Sequence, residues 1–266
     1  MPVEDLPRVG IGTFDVTPAA CTPAVRYALD CGYRHVDTAE KYGNEAAVGE
    51  ALATADVDRE DVFVATKVDS RNLGYDEVLD HAAASMDRLG VDVLDLLYVH
   101  WPIRTYDPEA TLAAFDALYD RGSIRHVGLS NFTPPMLQDA LDRLDAPLFA
   151  HQVECHPLCQ QEELRRMARE AGHHVVAYSP LAKGTVTEVP ELVEIADEHG
   201  TTPAGVSLAW LLSKEEVAVI PKSTTEAHIR ENLAARDLTL SDSALARIDA
   251  IERTARQVDF PAAPWN

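Results

Sequence analysis

Asp37-Thr38-Ala39-Glu40-Lys41-Tyr42-Gly43-Asn44-Glu45 joins two kinds of pattern. Tyr33-Arg34-His35-Val36 before it alternates like a strand, and the segment from Asn44 to about Ala53 has helical spacing with a capping residue at its start. Asp37 is therefore expected at the end of a strand and Tyr42 in the loop that enters a helix. A carboxylate and a phenol held at such a junction are plausible acid/base equipment, although Asp37 serving only loop amides and Tyr42 only packing are equally consistent with nine residues.

The same strand-then-helix unit recurs along the chain. Strands are expected at Arg8–Phe14, Val62–Val68, Leu94–Trp101, Ile124–Asn131, Leu148–Cys155, His174–Ser179 and Val217–Ile220. Helical spacing fills the intervals: from Thr17-Pro18 to Cys31-Gly32, Tyr75–Leu89, Pro108–Arg121, Pro134–Leu144 and Glu162–Ala171. It continues at Pro190–His199, Pro203–Ser213, Glu226–Ala235 and Asp242–Ala255. Strands alternating with helices imply parallel pairing with right-handed crossovers, and eight such units point to an α/β fold of the (β/α)8 TIM-barrel type. A chain of 266 residues, 46% hydrophobic, suits one such barrel, so a single domain over residues 1–266 is expected. A doubly wound dinucleotide-binding sheet competes. Its Gly-x-Gly-x-x-Gly turn is missing, because Gly10-Ile11-Gly12 runs into Thr13-Phe14-Asp15.

The net charge of −21 comes from 44 acidic and 23 basic side chains. It argues against a nucleic-acid partner, whose backbone needs a basic face. Acidic residues in excess with few lysines match a surface working in concentrated salt, where self-repulsion is screened. Lys41, Lys67, Lys183, Lys214 and Lys222 are the only lysines, so each invites a reason. No apolar run is long enough to span a bilayer, and Met1–Asp5 lacks a secretion signal's basic start; a cytoplasmic location with no membrane partner is expected. Cys21, Cys31, Cys155 and Cys159 are read as free thiols. Cys155-His156 with Cys159 lacks the second ligand pair of a zinc site, so no metal is expected.

In a barrel the chemistry belongs at the C-terminal strand ends. The polar residues there are Asp37 and Tyr42, Lys67, His100, Ser130-Asn131, Gln152 with Glu154, Tyr178-Ser179, and Lys222-Ser223. Asp37 opposite a buried Lys67 would keep the amine charged, and the ammonium is expected to pull the Tyr42 phenol down from its ordinary value of about 10. His100 can orient a carbonyl oxygen. The set suits delivery of a proton to that oxygen as a hydride reaches the carbon.

Over nearly its whole length the chain resembles the aldo-keto reductases. The matching segments are Asp37-Thr-Ala-x-x-Tyr42-Gly-Asn-Glu45, Thr66-Lys67, Val99-His100-Trp101-Pro102, Gly128-Leu-Ser-Asn-Phe132 and Gln152-Val-Glu-Cys-His-Pro157. Tyr178-Ser-Pro-Leu181 and Ile220-Pro-Lys-Ser223 with Glu231-Asn232 complete the set. The resemblance implies NAD(P)H-dependent reduction of small aldehydes or ketones. It makes Tyr42 the proton donor, tuned by Lys67 and Asp37, with His100 positioning the carbonyl. It places Gly12, Thr13, Ser130, Asn131, Gln152, Tyr178, Ser179 and Leu181 on the nicotinamide and diphosphate. Lys222 and Ser223 fall to a 2′-phosphate, which needs a cation; Glu231 and Asn232 fall to the adenine end.

His228 stands where the family usually has an arginine beside the adenine. That departure weakens the case for NADPH over NADH, while Lys222 and Ser223 still speak for it; NADP(H) is favoured, with NAD(H) possible. The family's floor hairpin is missing, leaving about seven residues before the first strand and a thinly covered floor. The stretch between Pro102 and Pro108 and the tail Gln257–Asn266 are short, leaving Phe14, Trp101, Tyr42 and Trp265 as candidate walls of an open pocket. A monomer acting on a small carbonyl compound is expected. The alternatives are a nucleotide-binding regulatory protein with vestigial turnover, which the complete tetrad disfavours, and a metal-dependent hydrolase, which would need more ligands than His100 and Glu154.

Overall fold

The computed structural model describes residues 5–266, so most of the N-terminal stretch read for a secretion signal lies outside the described residues. The eight strands are β1 (Ile11–Gly12), β2 (His35–Asp37), β3 (Phe63–Val68), β4 (Leu94–Val99), β5 (Ile124–Ser130), β6 (Leu148–Glu154), β7 (His174–Tyr178) and β8 (Val217–Val219). They form one sheet in chain order, and every pairing is parallel. Parallel bridges Val9–Val219 and Gly12–Lys222 join the last strand to the first. Gly10 N donates to Val219 O and Val219 N to Arg8 O, each at 2.8 Å, which closes the ring. The chain has the (β/α)8 fold.

Around the ring lie α1 (Pro18–Asp30), α2 (Glu45–Thr54), α3 (Tyr75–Leu89), α4 (Pro108–Asp120), α5 (Pro134–Arg143) and α6 (Glu162–Ala171), then α7 (Pro190–His199), α8 (Pro203–Leu212), α9 (Glu226–Ala234) and α10 (Asp242–Asp249). None of the described helices is long and apolar enough to cross a membrane. The strands are buried on both faces, which is why they read as near-continuous apolar runs. Their period of two sorts side chains into two cores. Val64, Leu97, Val127, Val153 and Val175 join the helices in the outer core, whereas Phe63, Ala65, Leu96, Tyr98, Ala150, Val176 and Ala218 fill the barrel interior. Following the inward set one step further up each strand gives Asp37, Lys67, His100, Gln152 and Tyr178. The polar groups are the top layer of the barrel's own filling, placed there by strand alternation.

Three expectations need correction. α10 ends at Asp249, not near Ala255; beyond it Ile251 is buried while Glu252, Arg253 and Thr254 are exposed, so no continuing apolar stripe holds a helix. Asn44 does not cap α2 with its side chain. Its amide donates to Thr13 O and Val16 O and accepts from Thr38 Oγ1, all within 2.9–3.0 Å, so it ties the loop after β1 to the loop after β2. The floor is filled, not thin. Leu6 packs inside with Phe63, and His126 stacks on Phe149 at 3.8 Å between centroids. All four cysteines are free, with Cys21 and Cys155 buried.

Candidate active site

A cavity of about 480 Å³ opens at the C-terminal end of the ring, within the range that encloses small ligands. Gly12, Thr13, Phe14, Asp37, Tyr42, His100, Trp101, Ser130, Asn131, Gln152, Tyr178, Ser179, Leu181 and Lys222 line it. Residues from seven of the eight strand ends, all but that of β3, thus line one space, though they are spread over most of the chain. Lys67 lies beneath that surface, fully buried. Ser223, His228, Glu231 and Asn232 stand outside the lining, on the loop after β8 and on α9. Ser223 Oγ is engaged with Thr225, His228 is exposed, and Asn232 is buried.

The floor of the cavity is an ion pair. Lys67 Nζ donates to Asp37 Oδ1 and to Thr38 O at 2.7 Å; Gln152 Nε2 donates to Asp37 Oδ2 at 2.8 Å. Each charge therefore has a partner, without which burial in the barrel would be costly. Burial pulls the Lys67 amine down and Asp37 opposes it.

Tyr42 leans over this pair. Its ring centroid is 5.3 Å from Lys67 Nζ and 5.6 Å from the His100 ring, and Phe14 meets it edge-on at 5.3 Å. Contrary to the expectation from sequence, the Tyr42 phenol is held well above its ordinary value, by burial first and then by Asp37 and Tyr178. The physical reason is that burial disfavours the charged phenolate, and Asp37 offsets part of the pull of the ammonium. The phenol keeps its proton. His100 moves the other way, well below its ordinary value, through burial, Lys67 and Lys41. It is a neutral imidazole whose buried Nδ1 has no hydrogen-bond partner. A neutral phenol and a neutral imidazole side by side present two hydrogen-bond donors to an oxygen placed between them.

On the other side of the cavity the polar groups hold one another. Ser130 Oγ donates to Gln152 O at 2.9 Å, Asn131 Nδ2 to His100 O at 3.0 Å, and the Tyr178 hydroxyl to Asn131 Oδ1 at 2.8 Å. Asn131 has a φ of 66° and Ser179 one of 47°, left-handed conformations that concentrate at binding sites. The loop after β7 continues with Ala182 and Lys183 in the same region. The tail forms another wall. Gln257 N and Val258 N donate to the buried Glu154 carboxylate at 2.5 and 2.8 Å, and His156 Nε2 pairs with it at 2.9 Å. Val258 lines the cavity. Trp265 lies 5.6 Å from Trp101 and backs it, facing a smaller neighbouring cavity. Among the described residues, no group of three or more His, Cys, Asp or Glu side chains could hold a metal ion.

Sequence reasoning missed the roles of Lys183, Gly184, Pro221 and Val258 in the lining. Lys183 carried a signal, as one of five lysines just beyond a strand. Val258 carried none, because its place depends on the grip of Glu154 on the tail.

Comparison with known proteins agrees with this architecture. The model of the "Aldo/keto reductase family" matches residues 8–253. An aldo-keto reductase of Mycobacterium sp. (strain JLS) is 39% identical over 258 residues, covering 95% of this chain and 92% of that protein. A putative 2,5-diketo-D-gluconic acid reductase B superposes with a TM-score of 0.94 at 36% identity, over 97% of this chain and 92% of its own. Aldose reductase from Schistosoma japonicum does so at 0.93 and 30% identity, over 100% and 97%. A match that runs from the first strand past the last helix, together with relatives this similar over their full barrels, makes the chain a member of the aldo/keto reductase family of oxidoreductases.

Proposed function

We propose that this protein reduces small aldehydes or ketones to alcohols with a nicotinamide dinucleotide, NADP(H) in preference to NAD(H), and that Tyr42 delivers the proton. The observation that carries the reading is the meeting of Tyr42, His100 and the Lys67–Asp37 pair on one side of the cavity. The substrate oxygen accepts hydrogen bonds from the Tyr42 hydroxyl and the His100 imidazole, which fixes its orientation. As negative charge gathers on that oxygen, the phenolic proton moves to it, and Lys67 stabilises the phenolate left behind. Asp37 and Thr38 O keep the lysine charged and aimed. Phe14 and Trp101 supply apolar walls that exclude water from the reacting carbon.

The residues present fit the cofactor. Asn131 Oδ1, which takes one bond from Tyr178, has a second lone pair for a carboxamide. Ser130 and Gln152 lie beside it, and Tyr178 offers an aromatic face. Ser179, Leu181 and Lys183 border the diphosphate path, and Lys222 stands at the rim for a 2′-phosphate. Glu231 and Asn232 follow toward the adenine. Bound there, the dinucleotide supplies the hydride. Placing lysines at this mouth of a chain with net charge −21 favours the more heavily phosphorylated form.

Steady-state oxidation of NADPH and NADH by a panel of aliphatic and aromatic aldehydes and ketones tests the reading. Turnover with NADPH at lower KM than NADH is the expected result. No oxidation of either cofactor by any member would overturn the assignment as a reductase. Equal KM values would overturn the cofactor preference alone.

A further inference from the structure

Tyr42 ends a single 3-10 turn, Glu40–Tyr42, followed by Gly43 in the left-handed region at φ 68°. So short a turn, closed by Tyr42 N to Ala39 O at 3.0 Å and Gly43 N to Glu40 O at 3.3 Å, cannot by itself hold a phenol to the tolerance that proton transfer demands. The Glu40 side chain, only 14% exposed, ties the turn to its surroundings. That carboxylate accepts from Asp69 N at 2.9 Å, from Asn72 Nδ2 at 2.9 Å and from His81 Nδ1 on α3. Asn72 and His81 are themselves in contact, 3.2 Å apart. Glu40 stands two residues before Tyr42, and Asp69 two residues after Lys67. The bond between them therefore links the turn that carries Tyr42 to the loop just beyond the end of β3, the strand that carries Lys67.

A second carboxylate completes the arrangement from the other side. Glu45, three residues after Tyr42, is buried and accepts from Thr66 Oγ1 at 2.5 Å and from Arg88 Nε at 2.7 Å. Thr66 immediately precedes Lys67. The tyrosine is thus bracketed by two carboxylates that grip the residues flanking the lysine.

We propose that Glu40 is a positioning residue that sets the distance between Tyr42 and Lys67 by clamping the turn after β2 onto the loop after β3 and the first half of α3. It is not among the residues that line the cavity, and the proposal rests on reading Tyr42 as the proton donor. A clamp of this kind acts on the chemical step and leaves cofactor binding alone, because no cofactor-facing residue hangs from it.

The test compares the parent with Glu40→Ala, Glu40→Gln, Asn72→Ala and Tyr42→Phe. NADPH affinity is read by fluorescence titration, and kcat and the primary deuterium isotope effect with 4-deuterated NADPH are read on the fastest aldehyde of the panel. Amide exchange is followed over residues 38–44 and at Asp69. Glu40→Ala is expected to lower kcat roughly ten- to hundredfold, the cost of misplacing a reacting group by about an ångström. NADPH affinity should stay within about twofold, the isotope effect should rise and the two amide segments should exchange faster. Glu40→Gln, which keeps a carbonyl acceptor, should recover part of kcat. Asn72→Ala removes one bond and should fall between, which keeps the test decisive if Glu40→Ala folds poorly. Parent-like kcat in both alanine variants beside an inactive Tyr42→Phe would overturn the clamp and leave the donor standing. So would loss of NADPH affinity in step with kcat. Parent-level turnover by Tyr42→Phe would overturn donor and clamp together.

Discussion

Lys67 and Asp37 show how a charge is kept inside a barrel. Both are buried, and each is the other's principal partner. Removing one leaves an unpaired buried charge, so Lys67→Met should destabilise the protein by about 3–5 kcal/mol, read as the shift in a urea midpoint. The double variant Lys67→Met/Asp37→Asn should lose less than Lys67→Met alone. A larger loss in the double variant would contradict the pairing. Burial first, and the charges of this pair second, set the protonation of the two groups above them. Tyr42 is pushed up from 10.0 and His100 down from 6.5, so the phenol stays protonated and the imidazole neutral across that interval. The kcat for reduction should be level from pH 6.5 to 10, and a titration near 8 would contradict the assignment. At this scale much of the site was legible, because Asp37, Lys67 and His100 each sit at the end of a recognisable strand and Tyr42 in the short loop after one. Glu40 was not, since its partner His81 lies 41 residues onward and no spacing connects them. Nor was the direction of the Tyr42 shift, which depends on how far Asp37 offsets Lys67.

Among elements, the strands and most helices follow from alternation and from Gly and Pro at their ends. What the pattern does not hold is where an element loses its support. α10 stops when its buried stripe stops, and the side chain of Asn44, read as a cap, is used to join two loops. Contacts between elements are equally hidden. Gly49 of α2 lies so close to α3 that a β-carbon there would stand 2.8 Å from the carbonyl oxygens of both Arg88 and Leu89. Backbone atoms cannot swing aside as a side-chain tip would. Gly49→Ala should therefore destabilise by about 1–3 kcal/mol through overpacking, even though alanine is the better helix former. Thermal melting decides the sign, and a raised melting temperature would show that α2 can shift at little cost.

For the whole molecule, two charge effects act together. At −21 the fold repels itself, and raising salt from 0.1 M to 1 M shortens the screening length from about 10 to 3 Å; melting temperature should rise over that range. A fall would contradict self-repulsion as a destabilising term. Acid acts through histidines. His35 and His173 are lowered from 6.5 to about 4, and His151 to about 3, chiefly by burial. The unfolded chain takes up these protons near pH 6.5 while the folded chain does not, so stability is lost as pH falls from 6.5 toward 4, by about 2 kcal/mol per imidazole at pH 4.5. A urea midpoint unchanged between pH 7 and 4.5 would contradict it. The family and the barrel were legible from the order of motifs along the chain. The filled floor was not, because Leu6, Phe63, His126 and Phe149 come from four distant segments whose meeting is a property of the closed ring.

Proton transfer from a phenol above a buried ion pair to the substrate oxygen is the step on which the proposed function depends. Tyr42→Phe tests it most directly, with NADPH affinity and aldehyde-dependent turnover measured on the same preparation. NADPH affinity should be unchanged with nearly all turnover gone; turnover at the parent rate would rule out Tyr42 as the donor.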